Sequence, residues 1–112
     1  MLNIKINLMF NFIKNLFSND NAELKQIIND NAFLVDVRTD SEFNSGYVSS
    51  SINIPLDTIQ SKIDKFKNKK HVVVFCQSGM RSRMAKSILE RNGIKNVVNA
   101  GTWNKVNKLI KT

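Results

Sequence analysis

At 112 residues the chain has room for one domain with a core of ordinary size, and not for two. Its 42% hydrophobic and 23% charged residues describe a soluble globular protein. The 17 lysines and arginines against 9 aspartates and glutamates give +8, spread through the chain without zinc-finger spacing, an aromatic RNA-binding signature or a basic-region helix. The excess therefore reads as a solvated face that attracts small anions, with no nucleic-acid partner.

Residues 1–18 form a separate apolar segment, in which Asn3, Asn7, Asn11 and Asn15 recur every fourth position and would draw a narrow polar stripe along a helix. Contact with a membrane surface through residues 1–17, docking on the domain or a partner, a poorly ordered tail, and export are the readings it leaves open. Interruption by asparagine, the late Lys14 and the lack of a small-residue cleavage site count against a signal peptide, and the segment is too short and polar to span a bilayer.

The domain proper is 19–112. A helix is expected over Asn21–Ile28, with Leu24, Ile27 and Ile28 inward. Phe33–Val37 reads as a strand. Thr39 and Glu42 have capping-box spacing, so a short helix should run to Ser45 and stop at Gly46. Ser51–Ile54 is a short strand, and Pro55 opens a helix to Phe66 whose stripe is Leu56, Ile59, Ile63 and Phe66. Val72–Phe75 is uniformly apolar and β-branched in its first three residues, as in a strand buried on both faces. The chain turns at Cys76, Gly79 gives the loop its permissive backbone, and a helix from Arg81 places Met84, Ala85, Ile88 and Leu89 on one face before Asn92-Gly93 ends it. Asn96–Val98 is a last strand, and Trp103, Val106 and Ile110 outline a closing helix. Strands alternating with helices imply right-handed crossovers: an α/β domain with a mainly parallel central sheet and helices on both faces.

Ligand sites in such sheets lie beyond the carboxyl ends of the strands, which is where Cys76 falls. A loop between a strand end and a helix start aims backbone N–H groups and the positive end of the helix dipole at its own concavity, where an anion or a thiolate is stabilised. As the chain's one cysteine, Cys76 cannot form an internal disulfide, and a lone thiol fits a reducing, cytoplasmic setting. Asp36 and Arg38, two residues apart near another strand end, read as a structural ion pair at the sheet edge.

Together these residues resemble the rhodanese-like domain family, of the single-domain thiosulfate sulfurtransferase type. The resemblance runs through Leu34–Arg38, Glu42-Phe43, Gly46, Ile52–Leu56, the loop from Cys76 to Arg81, and Gly101 with Trp103, covering about residues 20–108. Tyr47, Ser51 and Ala100 stand where the family usually has histidine, alanine and glycine. The resemblance implies that Cys76 is the catalytic nucleophile, attacking the outer sulfur of thiosulfate, expelling sulfite and carrying a persulfide to cyanide, a thiol or a protein cysteine. It implies no metal and no organic cofactor. The substrate would be held by the loop Gln77, Ser78, Gly79, Met80, Arg81 and Ser82, with Met80 lining the mouth and Arg81 either binding the sulfonate end or bracing the loop. A persulfide carrier acting with protein partners is the alternative. A cysteine phosphatase or arsenate reductase fits less well, because those loops place arginine one position later, where this chain has Ser82.

Overall fold

The computed structural model describes residues 20–111, and the expected amphipathic segment lies outside the described residues. Helix α1 (Asp20–Asn29) leads through Asn31, at φ 60°, into strand β1 (Ala32–Asp36). Helix α2 (Asp40–Asn44) follows, opened by the expected capping box: the Glu42 N–H donates to Thr39 Oγ1 at 3.2 Å, and the Thr39 N–H donates to Glu42 Oε1 at 3.0 Å. Then come β2 (Ile52–Asn53), a 3-10 segment (Leu56–Phe66), β3 (His71–Cys76), α3 (Met80–Arg91), β4 (Val97–Thr102) and α4 (Trp103–Lys111).

All strand pairings are parallel, in the order β2-β1-β3-β4. Central strand β3 is buried from Val72 to Cys76, and its alternate residues divide between two cores. Val72, Val74 and Cys76 join Val35, Val37 and Ile54 against the 3-10 segment and α3, represented by Ile59, Phe66, Ala85 and Leu89. Val73 and Phe75 join Leu34 against Leu24 and Ile28 of α1 and Val106 of α4. Helices thus cover both faces, and the period-2 pleat points the Cys76 side chain toward α3. Among the described residues, no helix is long and apolar enough to cross a membrane.

Three local expectations need correction. Leu56–Phe66 is 3-10 rather than α-helical and is interrupted at Lys62 (φ −123°, ψ 24°). The Thr58 and Ser61 hydroxyls donate to the carbonyls of Pro55 and Thr58, three residues back, and the Thr58 N–H also takes the Pro55 carbonyl, all favouring the tighter winding. Strand β4 continues four residues past Val98 to Thr102. It absorbs an irregularity opposite Val74 and Phe75, where the register steps from Asn99 to Gly101. Met84 does not face inward: it is 52% exposed. The inward face of α3 is Ser82, Ala85 and Leu89, a phase that turns Met80 and Met84 outward.

Candidate active site

Cys76 is the last residue of β3, paired in register with Thr102 of β4, and has no exposed surface. Residues 77–79 carry the chain to the first turn of α3. Gly79 caps that helix at φ 99°, a left-handed conformation that a side chain would strain. A Cβ there would sit 3.7 Å from Gly101 Cα, so the backbone angle, and not crowding, is what demands glycine.

The sulfur is held from several directions. The Gly79 N–H donates to Cys76 Sγ at 3.0 Å, and the thiol donates to Ser82 Oγ at 3.5 Å. The Ser82 hydroxyl donates to the Gly79 carbonyl at 3.0 Å, with the Gly101 carbonyl at 3.5 Å. Burial pushes the Cys76 thiol up. Hydrogen bonds from the Ser82 hydroxyl and from the N–H groups of Ser82, Gly79 and Ser78 outweigh it, and the net direction is down. Once the thiol loses its proton, a rotation of the Ser82 hydroxyl lets it donate to the sulfur instead of to Gly79. Ser82 is itself fully buried, so it acts on the sulfur and not on a ligand in solvent. Ser82→Ala should move the midpoint of Cys76 alkylation by iodoacetamide to higher pH, and an unmoved midpoint would show that the backbone N–H groups suffice.

The remaining loop residues divide by what they touch. Arg81 grips Glu42, Nη1 to Oε1 at 2.6 Å and Nη2 to Oε2 at 2.9 Å, each side chain about one-third exposed. Of the two roles expected for Arg81, its side chain adopts the bracing one. Gln77 is exposed, and its Oε1 accepts from Trp103 Nε1 at 3.0 Å, tying the loop to α4. Ser78 and Met80 are exposed at the mouth, Met80 by 62%. The sequence gives no sign that Glu42 and Trp103 flank the loop: they stand 39 and 26 residues from their partners, and Glu42 already has a complete local explanation as a capping residue.

The Arg81 guanidinium, then the Thr39 N–H, hold the Glu42 carboxyl down at about 2, against an ordinary 4.5 and despite partial burial. A carboxylate depressed on folding stabilises the native state fully above its unfolded value, and the contribution fades as pH falls through the folded value. Glu42→Gln should therefore be less stable than wild type at neutral pH, and the gap should close between about pH 4.5 and about 2. Urea unfolding across that range checks this, and a gap that does not change with pH would be contrary to it.

Behind the loop, the structural ion pair is formed as expected. Arg38 Nε lies 3.0 Å from both Asp36 oxygens and Nη2 lies 2.7 Å from Oδ2, with Arg38 2% exposed and Asp36 not at all. Nη2 also donates to the Gly46 carbonyl at 2.7 Å and Nη1 to that of Glu42 at 3.3 Å, while the guanidinium lies 4.5 Å over the Trp103 ring. Asn53 Nδ2 donates to the carbonyls of Asp36 and Arg38 at 3.0 and 2.9 Å. Four segments are joined at one buried charge pair beneath the site.

The chain is similar to known proteins in sequence and in fold. A putative mitochondrial thiosulfate sulfurtransferase of Schizosaccharomyces pombe is 37% identical over 84 residues, covering 62% of this chain and 59% of that protein. A sulfurtransferase of Allochromatium vinosum is 30% identical over 82 residues, covering 71% and 77%. Among solved structures, a rhodanese-like domain protein from Staphylococcus aureus superposes with a TM-score of 0.65 at 33% identity, over 76% of this chain and 85% of that one. The chain spans less than two thirds of the length of the first curated relatives it matches. The family model described as rhodanese-like domain matches residues 20–108, most of the sequence and every element from α1 through most of α4. By that match, and by the sheet and loop it spans, this chain belongs to the rhodanese-like domain family.

Proposed function

We propose that the chain is a sulfurtransferase that moves sulfane sulfur through a persulfide on Cys76. The observation that carries the reading is the sulfur's setting: a lone cysteine at a strand end, its thiol pKa lowered by the loop's own N–H groups and by Ser82. Such a site suits a soft nucleophile that must hold negative charge before and after it accepts sulfur. The Cys76 thiolate attacks the outer sulfur of thiosulfate. A new S–S bond forms on Cys76, the old one breaks, and its electron pair leaves with sulfite. In the second half, cyanide or a thiolate attacks the outer sulfur of the persulfide, and Cys76 departs as the thiolate it began as. Neither half requires a metal, a cofactor or an outside oxidant.

The relatives named as sulfurtransferases support this class of reaction. The phosphatase alternative loses ground because Arg81 follows Cys76 after four residues and is turned onto Glu42. The same contact favours a second reading, that of a persulfide carrier: with Arg81 neutralised, the loop has no free side-chain cation for a sulfonate, and a protein persulfide is then as suitable a donor as thiosulfate. The test is intact mass of the reduced protein after exposure to thiosulfate. A gain of roughly 32 Da, discharged by cyanide as thiocyanate, is expected of a thiolate that accepts one sulfur atom. No gain from thiosulfate, with a gain from a protein persulfide, would select the carrier.

A further inference from the structure

Outside the sulfur site, the outer surface of α3 carries a feature that thiosulfate chemistry does not use. Met80, Met84 and Ile88 follow one another every fourth residue and so form a single row along the helix, exposed at the two methionines and half-buried against the core at Ile88. Met80 and Met84, 62% and 52% exposed, are two of four large hydrophobic side chains left exposed among the described residues. The row begins at the mouth beside Cys76. At Ile88 and Arg81 it borders a cavity of about 460 Å³, walled on the far side by Val37, Pro55 and Leu56 with Asp57 at its rim. Arg83 and Arg91 are exposed on the same outward side of α3, and neither pairs with a carboxylate among the described residues. A small divalent anion has no use for two solvated methionines and an apolar cavity. Methionines are suited to meeting an apolar partner, since their unbranched, polarisable side chains adapt to its shape.

We propose that this row and its cavity are the docking face for a sulfur-accepting protein, one that presents an apolar side chain and carboxylates next to its cysteine. The inference rests on the sulfur-transfer reading and names its acceptor. The apolar side chain enters the cavity, the carboxylates meet Arg83 and Arg91, and the docked cysteine reaches the persulfide at the mouth. Its thiolate attacks the outer sulfur, the Cys76 S–S bond breaks, and Cys76 leaves as a thiolate while the partner carries the new persulfide. Asp57, as the carboxylate at the cavity rim, disfavours a second acidic group at that end and so orients the segment with its charges toward α3.

Two readouts test the proposal. In the first, fluorescein-labelled Glu-Glu-Phe-Cys-Leu-Glu and Lys-Lys-Phe-Cys-Leu-Lys are titrated by anisotropy against the Cys76→Ser protein, which has no sulfur chemistry. The acidic peptide should bind about tenfold more tightly, and Arg83→Glu or Met84→Glu should remove that preference. In the second, wild-type Cys76 is loaded with sodium polysulfide and the discharge of its persulfide is timed. The acidic peptide should discharge it fastest, and Arg83→Glu or Met84→Glu should lose that advantage while discharge to cyanide is unchanged. Equal binding of the two peptides, indifference to both substitutions, stronger attachment to phosphatidylserine vesicles through this face, or self-association through it would each overturn the docking proposal. Selective peptide binding with no sulfur uptake at Cys76 would instead sink the sulfur-transfer reading and the acceptor role, leaving a peptide-binding face. The two failures are therefore distinguishable.

Discussion

Cys76→Ser should leave the fold intact and lower sulfur transfer by at least about a thousandfold, to the level of the uncatalysed reaction. The substitution exchanges sulfur for a smaller oxygen in a fully buried position, so the sheet and the helix behind it have little to repack. The loss is chemical. Three N–H groups and the Ser82 hydroxyl stabilise a thiolate, but the same four donors cannot ionise an alkanol near neutral pH, and an alkoxide has little affinity for a soft sulfane sulfur. The intact mass of the variant should be unchanged by thiosulfate, and a gain of one sulfur atom on it would mean that the sulfur had gone elsewhere. Circular dichroism and urea unfolding complete the check, since a variant that fails to fold would lose activity for an uninformative reason.

The largest expected loss of stability is at Arg38. Arg38→Met keeps much of the side chain's bulk but leaves the Asp36 carboxylate buried without its cation, and leaves the Gly46 carbonyl without its donor. Breaking one side of a buried pair typically costs about 3–5 kcal/mol, a large share of the roughly 5–15 kcal/mol that holds a domain together. Removing both charges costs less, because no orphaned carboxylate remains: Asp36→Leu with Arg38→Met should recover part of what Arg38→Met loses. Trp103, the chain's one tryptophan, lies 4.5 Å beneath the Arg38 guanidinium, so its fluorescence reports unfolding at the point in question. If Arg38→Met proved as stable as wild type, the pair would be an ornament of the fold and not its anchor.

Most of the framework follows from local patterning. The continuous burial of β3, the capping box at Thr39 and the stop at Asn92-Gly93 all depend on residues close in sequence, and the Asp36–Arg38 pair spans two positions. What was not legible depends on partners far along the chain or on competition between near-equal geometries. Leu56, Ile59, Ile63 and Phe66 are spaced by three and four, a stripe that suits either winding; hydroxyls at Thr58 and Ser61 decide for the tighter one. Strand β4 runs on through Asn99, Ala100 and Gly101, residues with poor strand propensity. It does so because Asn99 Oδ1 accepts from the Gly101 N–H at 3.0 Å and Gly101 takes φ 83°, accommodating the step in register. The same limit applied at the site. Cys76 and its loop declare themselves, whereas the choice Arg81 makes depends on Glu42 arriving from another element. The burial of Ser82 depends on the phase of α3, which also turned Met84 outward.

The complete enclosure of Cys76 has a kinetic meaning. A nucleophile with no surface of its own reacts only when its cover moves aside, so the observed rate is the intrinsic rate multiplied by the fraction of time the loop stands open. Arg81 on Glu42 and Gln77 on Trp103 tie the loop and the first turn of α3 to neighbouring elements, and both contacts resist that movement. A compact reagent needs less parting of the loop than a bulky disulfide does. The same cover protects the idle thiol from oxidants that are themselves large. Once loaded, the reactive atom is no longer Sγ but the sulfur beyond it, about 2 Å farther out, so an acceptor has that much less depth to cross than the first sulfur donor had.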